Sequence, residues 1–407
     1  MSIKKPELLA PAGNFEKLEI AIKYGADAVY LAGKEFSLRS YSDNFSIDEI
    51  EKGIELAHKN DVKVYVACNI YSRNSEQEKI EKYLEKLGSM KPDALIISDP
   101  GIILLTREML PNIDIHLSTQ SNTTNYNTVK FWKQLGIKRV NTARELSLND
   151  IEEIVEKGGL EVEAFVHGAM CISQSGRCLL SSFMINRDAN RGLCSHPCRW
   201  KYSLMEEKRP GEYVGVTEDN RGSYFFNSKD LNLINHIPEL IRSGLTSLKI
   251  EGRIKGINYL ASVVKVYREA IDHFMDSPDS YKMKDYWLDE LFLINNRTYS
   301  TGFYFGNQDE VTPNYNDSKP EILQKLIGKI IGKNDDNSYR VIVRNRFFKN
   351  DDVRIFSSQK GPSFHDTIIK ISDLRGNELD VAQPNMNIDL TLNGKYLIND
   401  LIRTIPG

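Results

Sequence analysis

Several features that would assign this chain of 407 residues to a common class are missing. No run of about 18 apolar residues occurs, so no membrane-spanning helix is expected. No G-x-G-x-x-G follows the first predicted strand, which leaves dinucleotide binding without support. The H-E-x-x-H pair of metallopeptidases and the G-x-S-x-G turn of serine hydrolases are also absent. Because the net charge is only −3, any contact with nucleic acid has to come from a local patch.

Cysteine is scarce and unevenly distributed. Four of the five cysteines fall within 28 residues, with the spacing C-x6-C-x15-C-x3-C. Zinc sites usually present two short pairs with about two to four residues between the thiols, and the first pair here is wider. Iron–sulfur clusters also take four thiolates and accept looser spacing, so the pattern favours a cube-type iron–sulfur site, with zinc as the alternative. The clustered residues are Cys171, Cys178, Cys194 and Cys198.

Two simpler explanations compete with a metal site. Buried thiols can act as small apolar residues, and four cysteines could form two disulfides. The opening MSIKKPELLAPAG has no apolar segment of a secretion signal. We therefore expect a cytoplasmic, reducing location, in which disulfides are rare. Cys68 lies in the apolar strand pattern VKVYVACN, and we expect a structural role for it.

Short apolar runs alternate with amphipathic stretches along most of the chain. The apolar runs are rich in Val, Ile and Leu, as strands buried on both faces should be, and the amphipathic stretches have helical spacing. Eight strand–helix units predict an α/β fold, a (β/α)8 TIM-like barrel, with an open doubly wound sheet as the alternative. The strand segments are ELLAPAG, ADAVYLAG, VKVYVACN, DALIISD, IDIHLST, IKRVNTA, LEVEAFVHG and LTSLKIEGR.

Polar residues follow these strands where barrel enzymes place their catalytic loops. Each one alone is explained as a helix cap or a surface residue. Their shared location at one mouth of the predicted barrel makes the set a candidate site. The set is Arg39, Asn69, Asp99, Gln120, Arg144, His167, Glu251 and Arg253.

The alternation breaks after the seventh strand. An insertion over 168–227 holds the clustered cysteines and three segments typical of short strands, KYSLMEE, EYVGVTED and GSYFFNS, before SKDLNLINHIPELIRSG resumes as a predicted helix. We predict the barrel over 1–295 and a connecting segment over 296–321. A small, separate C-terminal β-barrel or sandwich is predicted over 322–407, because the apolar period there changes to two.

Positive charge is concentrated in two places. Residues 322–360 hold nine Lys or Arg against four Asp, with Phe347 and Phe348 among them. Basic residues interleaved with aromatic ones can form a nucleic-acid surface, and a solvated strand face is the alternative. A weaker basic cluster, which includes Arg187 and Arg191, surrounds the cysteines.

Long motifs point to a family. The stretch HGAMCISQSGRCLLS…NRGLCSHPCRW, followed by NSKDLNLINHIPELIRSGLTSLKIEGR and NNRTYSTGFYFG, closely resembles the collagenase-like peptidase U-32 family. The opening PELLAPAGNFEKLEIAIKYGADAVYLAG fits it too, so the resemblance covers nearly the whole chain. The length and the small C-terminal β-domain are most similar to the tRNA-hydroxylating branch of that family.

The resemblance implies an activity that composition and spacing do not show. Members of that branch are associated with oxygen-independent formation of 5-hydroxyuridine at the tRNA wobble position, with a 4Fe-4S cluster and with prephenate as the source of the hydroxyl oxygen. Sibling branches hydroxylate a ribosomal RNA cytidine or the ubiquinone ring. Carried over, the cluster ligands are the four clustered cysteines, although some siblings take one ligand from elsewhere. Related chains often work in pairs, so a related partner subunit is an open expectation.

Roles for the other residues are predicted from strand-end position and charge. Arginine forks suit the carboxylates of prephenate, and a carboxylate or an imidazole suits proton transfer. Phosphates position an RNA on basic side chains, while an unstacked anticodon base would enter the mouth. The predicted substrate-binding residues are Arg39, Gln120, Arg144 and Arg253. The predicted residues for proton transfer are Glu251 and His167. The predicted RNA contacts are Arg187, Arg191, Arg344, Arg346 and Lys349.

Two other classes of function stay open. A U-32 peptidase could use His167 beside a clustered cysteine as a nucleophile pair, although thiols committed to a metal leave none for that purpose. An RNA-binding subunit could use the metal only as a structural staple. A hydroxylase acting on ribosomal RNA is a variant of the main hypothesis.

Overall fold

The structure is a computed structural model. It describes residues 3–37, 44–170, 174–185, 187, 193–195, 197, 204–205, 213–214, 229–294, 299–306 and 324–405. Parts of the cysteine segment and most of the predicted connecting segment lie outside these ranges.

Eight parallel strands close into a barrel, as predicted. In chain order the strands up to residue 300 are β1 Glu7–Pro11, β2 Ala28–Leu31, β3 Lys63–Cys68, β4 Ala94–Ile97, β5 Asp114–Leu117, β6 Arg139–Asn141, β7 Glu161–Ala169, β8 Leu204–Met205, β9 Tyr213–Val214, β10 Asp230–Asn232, β11 Ser247–Ile250 and β12 Tyr299–Ser300. Strands β1 to β7 pair in order, and β11 pairs in parallel with both β7 and β1. This closure excludes the open doubly wound sheet.

Helices connect the strands and cover the outside of the barrel. They are α1 Phe15–Lys23, α2 Ile47–His58, α3 Gln77–Met90, α4 Pro100–Met109, α5 Tyr126–Gln134, α6 Leu148–Gly158, α7 Leu180–Ile185, α8 Ile237–Arg242, α9 Ile257–Asp276 and α10 Asp285–Ile294. Capping boxes fix the starts of α2 and α6, where Ser46 and Ser147 bond the first-turn backbone. None of the helices in the described ranges has both the length and the apolar character of a membrane span.

The lumen is charged at the end where the strands begin. Arg139 Nη1 lies 2.6 Å from Glu7 Oε1, and Lys249 Nζ lies 2.7 Å from Glu163 Oε1. None of these four side chains is more than 11% exposed. Each charge has a partner, as burial requires, so this layer fills the bottom of the barrel. Chemistry is therefore expected at the opposite end, where the strands finish.

The insertion agrees with the prediction in part. Strands β8 and β9 form an antiparallel pair, as two of the three predicted short strands would, while GSYFFNS lies outside the described residues. The helix predicted over 228–244 is wrong in its first part, because β10 pairs antiparallel with the end of β7 and α8 begins only at Ile237. The projecting end of β7 offers unpaired backbone groups, and β10 satisfies them.

The C-terminal residues form the predicted small β-domain. Its strands are β13 Leu326–Lys333, β14 Tyr339–Val343, β15 Phe347–Phe348, β16 Asp352–Phe356, β17 Phe364–Thr367, β18 Lys370–Ser372, β19 Glu378–Leu379, β20 Val381–Ala382, β21 Asn387–Thr391 and β22 Leu401–Thr404. Eight of them make one antiparallel sheet in the order β17-β16-β22-β13-β14-β21-β18-β19, while β15 pairs with β20. The sheet curls as a half-barrel around its own apolar core, which includes Ile330, Val341 and Ile388.

The β-domain packs against the barrel and does not stand apart from it. The ring of Tyr24, the residue after α1, stacks on Phe356 of β16, with the ring centroids 5.5 Å apart and the planes within 6°. Arg403 of β22 is fully buried and donates hydrogen bonds to Glu290 of α10 and Ser262 of α9. These contacts join the two domains through both apolar and ionic groups.

Candidate active site

An ion pair lies at the barrel mouth. Glu251 follows β11 and places Oε2 3.6 Å from Nη2 of Arg144, which follows β6. The Arg144 guanidinium lies 4.0 Å from the centroid of the Phe165 ring. Tyr30 of β2 donates its hydroxyl to the carbonyl of Ile250 at 3.0 Å, and the same hydroxyl lies 3.5 Å from Glu251 Oε2. The sheltered guanidinium is suited to bind a second carboxylate, since the low local dielectric strengthens such pairs.

Gln120 joins the ends of neighbouring strands at the same mouth. Its backbone carbonyl accepts a hydrogen bond from the Tyr71 hydroxyl at 2.8 Å, and its Oε1 accepts one from Ser118 Oγ at 3.3 Å. Asn69 Nδ2 lies 3.5 Å from that serine oxygen. The polar groups after β3 and β5 therefore form one connected network, which includes two residues of the predicted set.

Arg253 is directed elsewhere. Its side chain is buried and donates to Asn44 Oδ1 in the connection between β2 and α2, and its carbonyl accepts from Lys17 Nζ at 3.1 Å. The structure thus places Arg253 under the first two connecting loops, and its substrate-binding role stays a prediction.

His167 does not reach the lumen. Lys249 and Ile250 of β11 are consecutive, but they pair with Phe165 and His167 of β7. Val166, which lies between those two, is therefore an extra residue in β7. The His167 ring then packs against Tyr259 and Tyr267 of α9, with Nδ1 3.3 Å from the Tyr267 hydroxyl. Burial, with a smaller contribution from a nearby lysine, lowers the pKa of His167 to about 3. A neutral imidazole outside the lumen does not support the predicted role in proton transfer.

The cysteine segment docks on the mouth through its first described residues. Glu145 accepts hydrogen bonds from the backbone nitrogen of Ser175 at 3.2 Å and from its Oγ at 3.0 Å. The Ser175 Oγ accepts in turn from the backbone nitrogen of Arg144 at 3.3 Å. Gly176 has φ +72°, and a Cβ built there would lie 2.0 Å from the carbonyl oxygen of Gln120. Only glycine permits so close an approach in that conformation.

Two clustered cysteines lie on segments that the structure brings together. Cys178 lies two residues before the start of α7, and Cys194 lies further along the insertion; both are half-buried. The backbone nitrogen of Ser195 donates to Ser181 Oγ at 3.3 Å, which ties the second segment to α7. Thiolates on adjacent segments fit the soft donor set of an iron–sulfur cluster or of zinc.

The complete ligand set extends beyond the described residues. Cys171 and Cys198 lie outside them, and within them no three His, Cys, Asp or Glu side chains gather as a metal site. The two described cysteines fit the predicted thiolate site, and the four-cysteine ligand set itself stays a prediction.

Two other residues have structural roles. Cys68 faces the helices that cover the barrel and is completely buried, and burial raises the pKa of its thiol to about 12. A thiol that stays protonated is a poor metal ligand. Asp99 caps α4 by accepting hydrogen bonds from the backbone nitrogens of Gly101 and Ile102, as the helix-cap alternative predicts.

The basic residues of the β-domain differ in what they contact. Arg344 pairs with Glu16 of α1 across the domain interface. Lys349 pairs with Glu378 at 2.6 Å. Arg346 lies 5.6 Å from the ring centroid of Phe348, whose side chain is exposed. The last pair offers a cation and an aromatic face to solvent, whereas Arg344 serves at least partly to join the domains.

The remaining predicted RNA contacts belong to the insertion. Arg187 donates from Nε to the carbonyl of Leu193 at 3.0 Å, next to the cysteine segment. Arg191 lies outside the described residues, as does the predicted substrate-binding residue Arg39. RNA binding by all of these residues stays a prediction.

Three residues of the mouth were missed from the sequence. Tyr30 was counted only as part of an apolar strand, although a phenol at an inward strand position carries its hydroxyl into the lumen. Glu145 stands next to Arg144 and resembles an ordinary charge before a helix. Ser175 gave no signal, because its importance depends on which loop it meets.

The profile of Peptidase family U32 matches residues 13–313, and that of the Peptidase family U32 C-terminal domain matches residues 323–403. The chain belongs to peptidase family U32. This confirms the resemblance seen in the motifs, and the two matched regions correspond to the barrel and to the β-domain.

Curated relatives extend over both domains. The tRNA hydroxylation protein P1 of Bacillus subtilis (strain 168) is 41% identical over 401 residues, which cover 98% of this chain and 95% of the relative. The tRNA hydroxylation protein P of Haemophilus influenzae (strain ATCC 51907 / DSM 11121 / KW20 / Rd) is 36% identical and covers 98% of this chain and 97% of its own. A protein named collagenase from Porphyromonas gingivalis (strain ATCC BAA-308 / W83) is 30% identical over 76% of this chain and 75% of its own.

Proposed function

We propose that this chain is an oxygen-independent tRNA hydroxylase that forms 5-hydroxyuridine at the wobble position, with prephenate as the source of oxygen. The observation that supports this most is the end-to-end similarity to proteins named for tRNA hydroxylation, 41% identical over 98% of the chain in one case. The similarity includes the β-domain as well as the barrel, so it covers the parts that would hold an RNA and the parts that would do chemistry.

The mouth supplies groups for a carboxylate substrate and for a base. Arg144 would bind a carboxylate of prephenate with the fork of its guanidinium, while Phe165 beneath it keeps that cation in place. Replacing hydrogen by hydroxyl at the uridine C5 oxidises that carbon by two electrons. Prephenate, whose C–O bond would break, would keep that electron pair, and the C5 proton would leave to a base. Glu251 pairs with Arg144, and we assign it this proton; the Tyr30 hydroxyl lies 3.5 Å from its Oε2.

The four clustered cysteines would hold a 4Fe-4S cluster beside the mouth. Such a cluster supplies electron transfer or a Lewis-acidic iron when it is bound. The chain's own contribution is to dock this segment: Ser175 bonds Glu145, and Ser181 ties the Cys194 segment to α7. This docking would bring the thiol ligands to the side of the mouth where Arg144 lies.

The RNA would be held by contacts outside the mouth. Phe348 and Arg346 offer a stacking face and a cation on the β-domain, and Arg187 lies beside the cysteines. Phosphate contacts of this kind position an RNA without reading its sequence. The wobble base would be unstacked into the mouth, as enzymes that modify a base require.

The test is complementation in a bacterial strain that lacks its own tRNA hydroxylation proteins. Nucleosides from digested tRNA are measured by mass spectrometry after expression of the wild type, Cys178→Ser or Cys68→Ala. We expect 5-hydroxyuridine with the wild type and with the Cys68 variant, and none with Cys178→Ser. Absence of the nucleoside with a well-expressed wild type would refute the proposal.

The same cultures also test two alternative functions. Hydroxylation of ribosomal RNA would appear as a modified cytidine in digested ribosomal RNA, with tRNA unchanged. The similarity to a protein named collagenase makes peptidase activity the second alternative. It would appear as degradation of gelatin by the purified protein and would persist in Cys178→Ser. The described contacts of His167 are tyrosine rings and not a cysteine, so they give that alternative no nucleophile pair.

A further inference from the structure

Two adjacent residues after β6, Arg144 and Glu145, contact different parts of the candidate site. The Arg144 side chain enters the mouth, where it meets Glu251. The next side chain, Glu145, turns to the cysteine segment and receives three hydrogen bonds. They come from Ser175 N at 3.2 Å, Ser175 Oγ at 3.0 Å and Asn122 Nδ2 at 2.6 Å. A single dipeptide therefore links the ion pair of the mouth to the segment that holds the thiols.

We propose that Glu145, Asn122 and Ser175 form a clamp that docks the cysteine segment on the barrel mouth before any metal binds. Glu145 is the positioning residue of this clamp. The proposal rests on the proposed function only for the identity of the group that the thiols hold. The three hydrogen bonds of the clamp involve none of the cysteines, so they can be tested in the reduced protein without metal.

The pattern of donors explains why a carboxylate is needed at this position. An ionised carboxylate only accepts hydrogen bonds, and the three polar groups around it, two of Ser175 and one of Asn122, all donate to it. The Ser175 hydroxyl gives its proton to Glu145 and accepts from the Arg144 backbone, so its donor and one of its acceptor positions are both used. Glutamine has the same size but no charge. Its Oε1 could keep the bonds from Ser175 N and Asn122, and its Nε2 could donate to Ser175 Oγ once that hydroxyl rotates. All of these hydrogen bonds would then lose their charge assistance.

A second contact makes the docking specific. Immediately after Ser175, the backbone at Gly176 passes so close to the carbonyl of Gln120 that a Cβ would lie 2.0 Å from that oxygen. The segment therefore lies against the ends of both β5 and β6, and Cys178 follows two residues later. The clamp would determine where this thiol stands relative to Arg144.

The test measures how fast each cysteine is labelled in the metal-free, reduced protein. N-ethylmaleimide is added without air, and labelling of Cys178 and Cys68 is followed by peptide mass spectrometry. The variants are Glu145→Gln, Ser175→Ala and the double variant. Glu153→Gln is the matched control, since it removes an exposed carboxylate of α6 that pairs only with Lys157 among the described residues. Cys68 reports global opening, because it is completely buried.

We expect Glu145→Gln to raise the labelling rate of Cys178 on the order of tenfold, as the loss of charge assistance in these hydrogen bonds implies. Ser175→Ala should raise it in the same direction, and the double variant should exceed the larger single effect only slightly. Cys68 should stay unlabelled throughout. The reconstituted Glu145→Gln protein should also lose iron to a chelator faster than the wild type does.

Three results would overturn the clamp. The first is a Cys178 rate in Glu145→Gln that equals the rate in Glu153→Gln. The second is labelling of Cys68 that rises together with that of Cys178 in both single variants, since the effect would then be general unfolding. The third is a double variant whose effect is the product of the two single effects, because partners in one interaction are not additive. All three stand whether or not the protein hydroxylates tRNA.

Discussion

Arg403 is predicted to be the residue whose loss most weakens the union of the two domains. It is fully buried and donates to Glu290 and, at 2.8 Å, to Ser262 Oγ. Its guanidinium also lies 3.9 Å from the ring centroid of Phe356. Arg403→Met fills the same space but leaves the Glu290 carboxylate in the interface without its nearest cation.

The structure sets the size of the effect. Breaking a buried ion pair from one side typically costs about 3–5 kcal/mol. In the variant, Glu290 would still have two partners: the Ser262 hydroxyl, at 2.6 Å, and the more distant Arg354, at 4.0 Å. We therefore expect Arg403→Met to lower the free energy of unfolding by about 3 kcal/mol, the low end of that range.

Urea unfolding followed by tryptophan fluorescence measures this value, because Trp287 is buried on α10 close to the interface. Arg340→Met is the matched control. Arg340 pairs with Asp389 at 2.7 Å with 38% of its side chain exposed, and such a surface pair contributes less than about 1 kcal/mol. The double variant Arg403→Met with Glu290→Met should recover part of the loss, since the buried Glu290 carboxylate is no longer left without Arg403, although Arg354 loses its more distant partner. The reasoning is refuted if Arg403→Met costs no more than Arg340→Met, or if the double variant is no more stable than the single one.

Three further predictions concern the mouth and its surroundings. Glu251→Gln keeps the shape of the pair with Arg144 but removes the base, so the 5-hydroxyuridine content of tRNA should fall at least tenfold at unchanged melting temperature; retained activity would exclude Glu251 as the base. Gly176→Ala should reduce bound iron sharply, whereas Gly306→Ala, with a similar φ of +71° but nothing near its Cβ, should not, and equal losses would mean that backbone strain alone is responsible. His167 has a folded-state pKa of about 3 against about 6.5 unfolded, so the unfolded state binds more protons between these values. Its contribution to stability is complete above about pH 6.5 and falls as the pH drops toward 3, with about 2 kcal/mol lost by pH 5; urea unfolding of His167→Asn should lack this part of the pH dependence.

The barrel was predictable because each unit carries its own evidence. Strands buried on both faces are nearly continuous runs of Val, Ile and Leu, and amphipathic helices follow them. Five strands of the β-domain, β15, β17, β19, β20 and β22, give no such evidence, because each has only two to four residues and a period of two needs a longer run. Leu401–Thr404 also contains the buried Arg403, whose partners lie more than a hundred residues earlier.

The candidate site was predictable only in part. Strand-end position identified Arg144, Glu251 and Gln120, because parallel strands finish at the same end of a barrel. Strand-end position also predicts that His167 faces the lumen, but the extra residue in β7 turns its side chain outward. A register shift depends on how two distant strands meet, which a single sequence does not encode locally. The Arg344 contact with Glu16 is a similar case, since the two residues are 328 positions apart.

The most direct measurement of the central claim is a reaction with purified components without dioxygen. Protein purified without air is incubated with unmodified tRNA and prephenate. The tRNA is then digested, and the masses of its nucleosides are measured by mass spectrometry. The account predicts a uridine heavier by one oxygen atom that requires prephenate and is absent with Cys178→Ser. An unchanged uridine with iron-loaded wild-type protein, or hydroxylation that continues without prephenate, would contradict it.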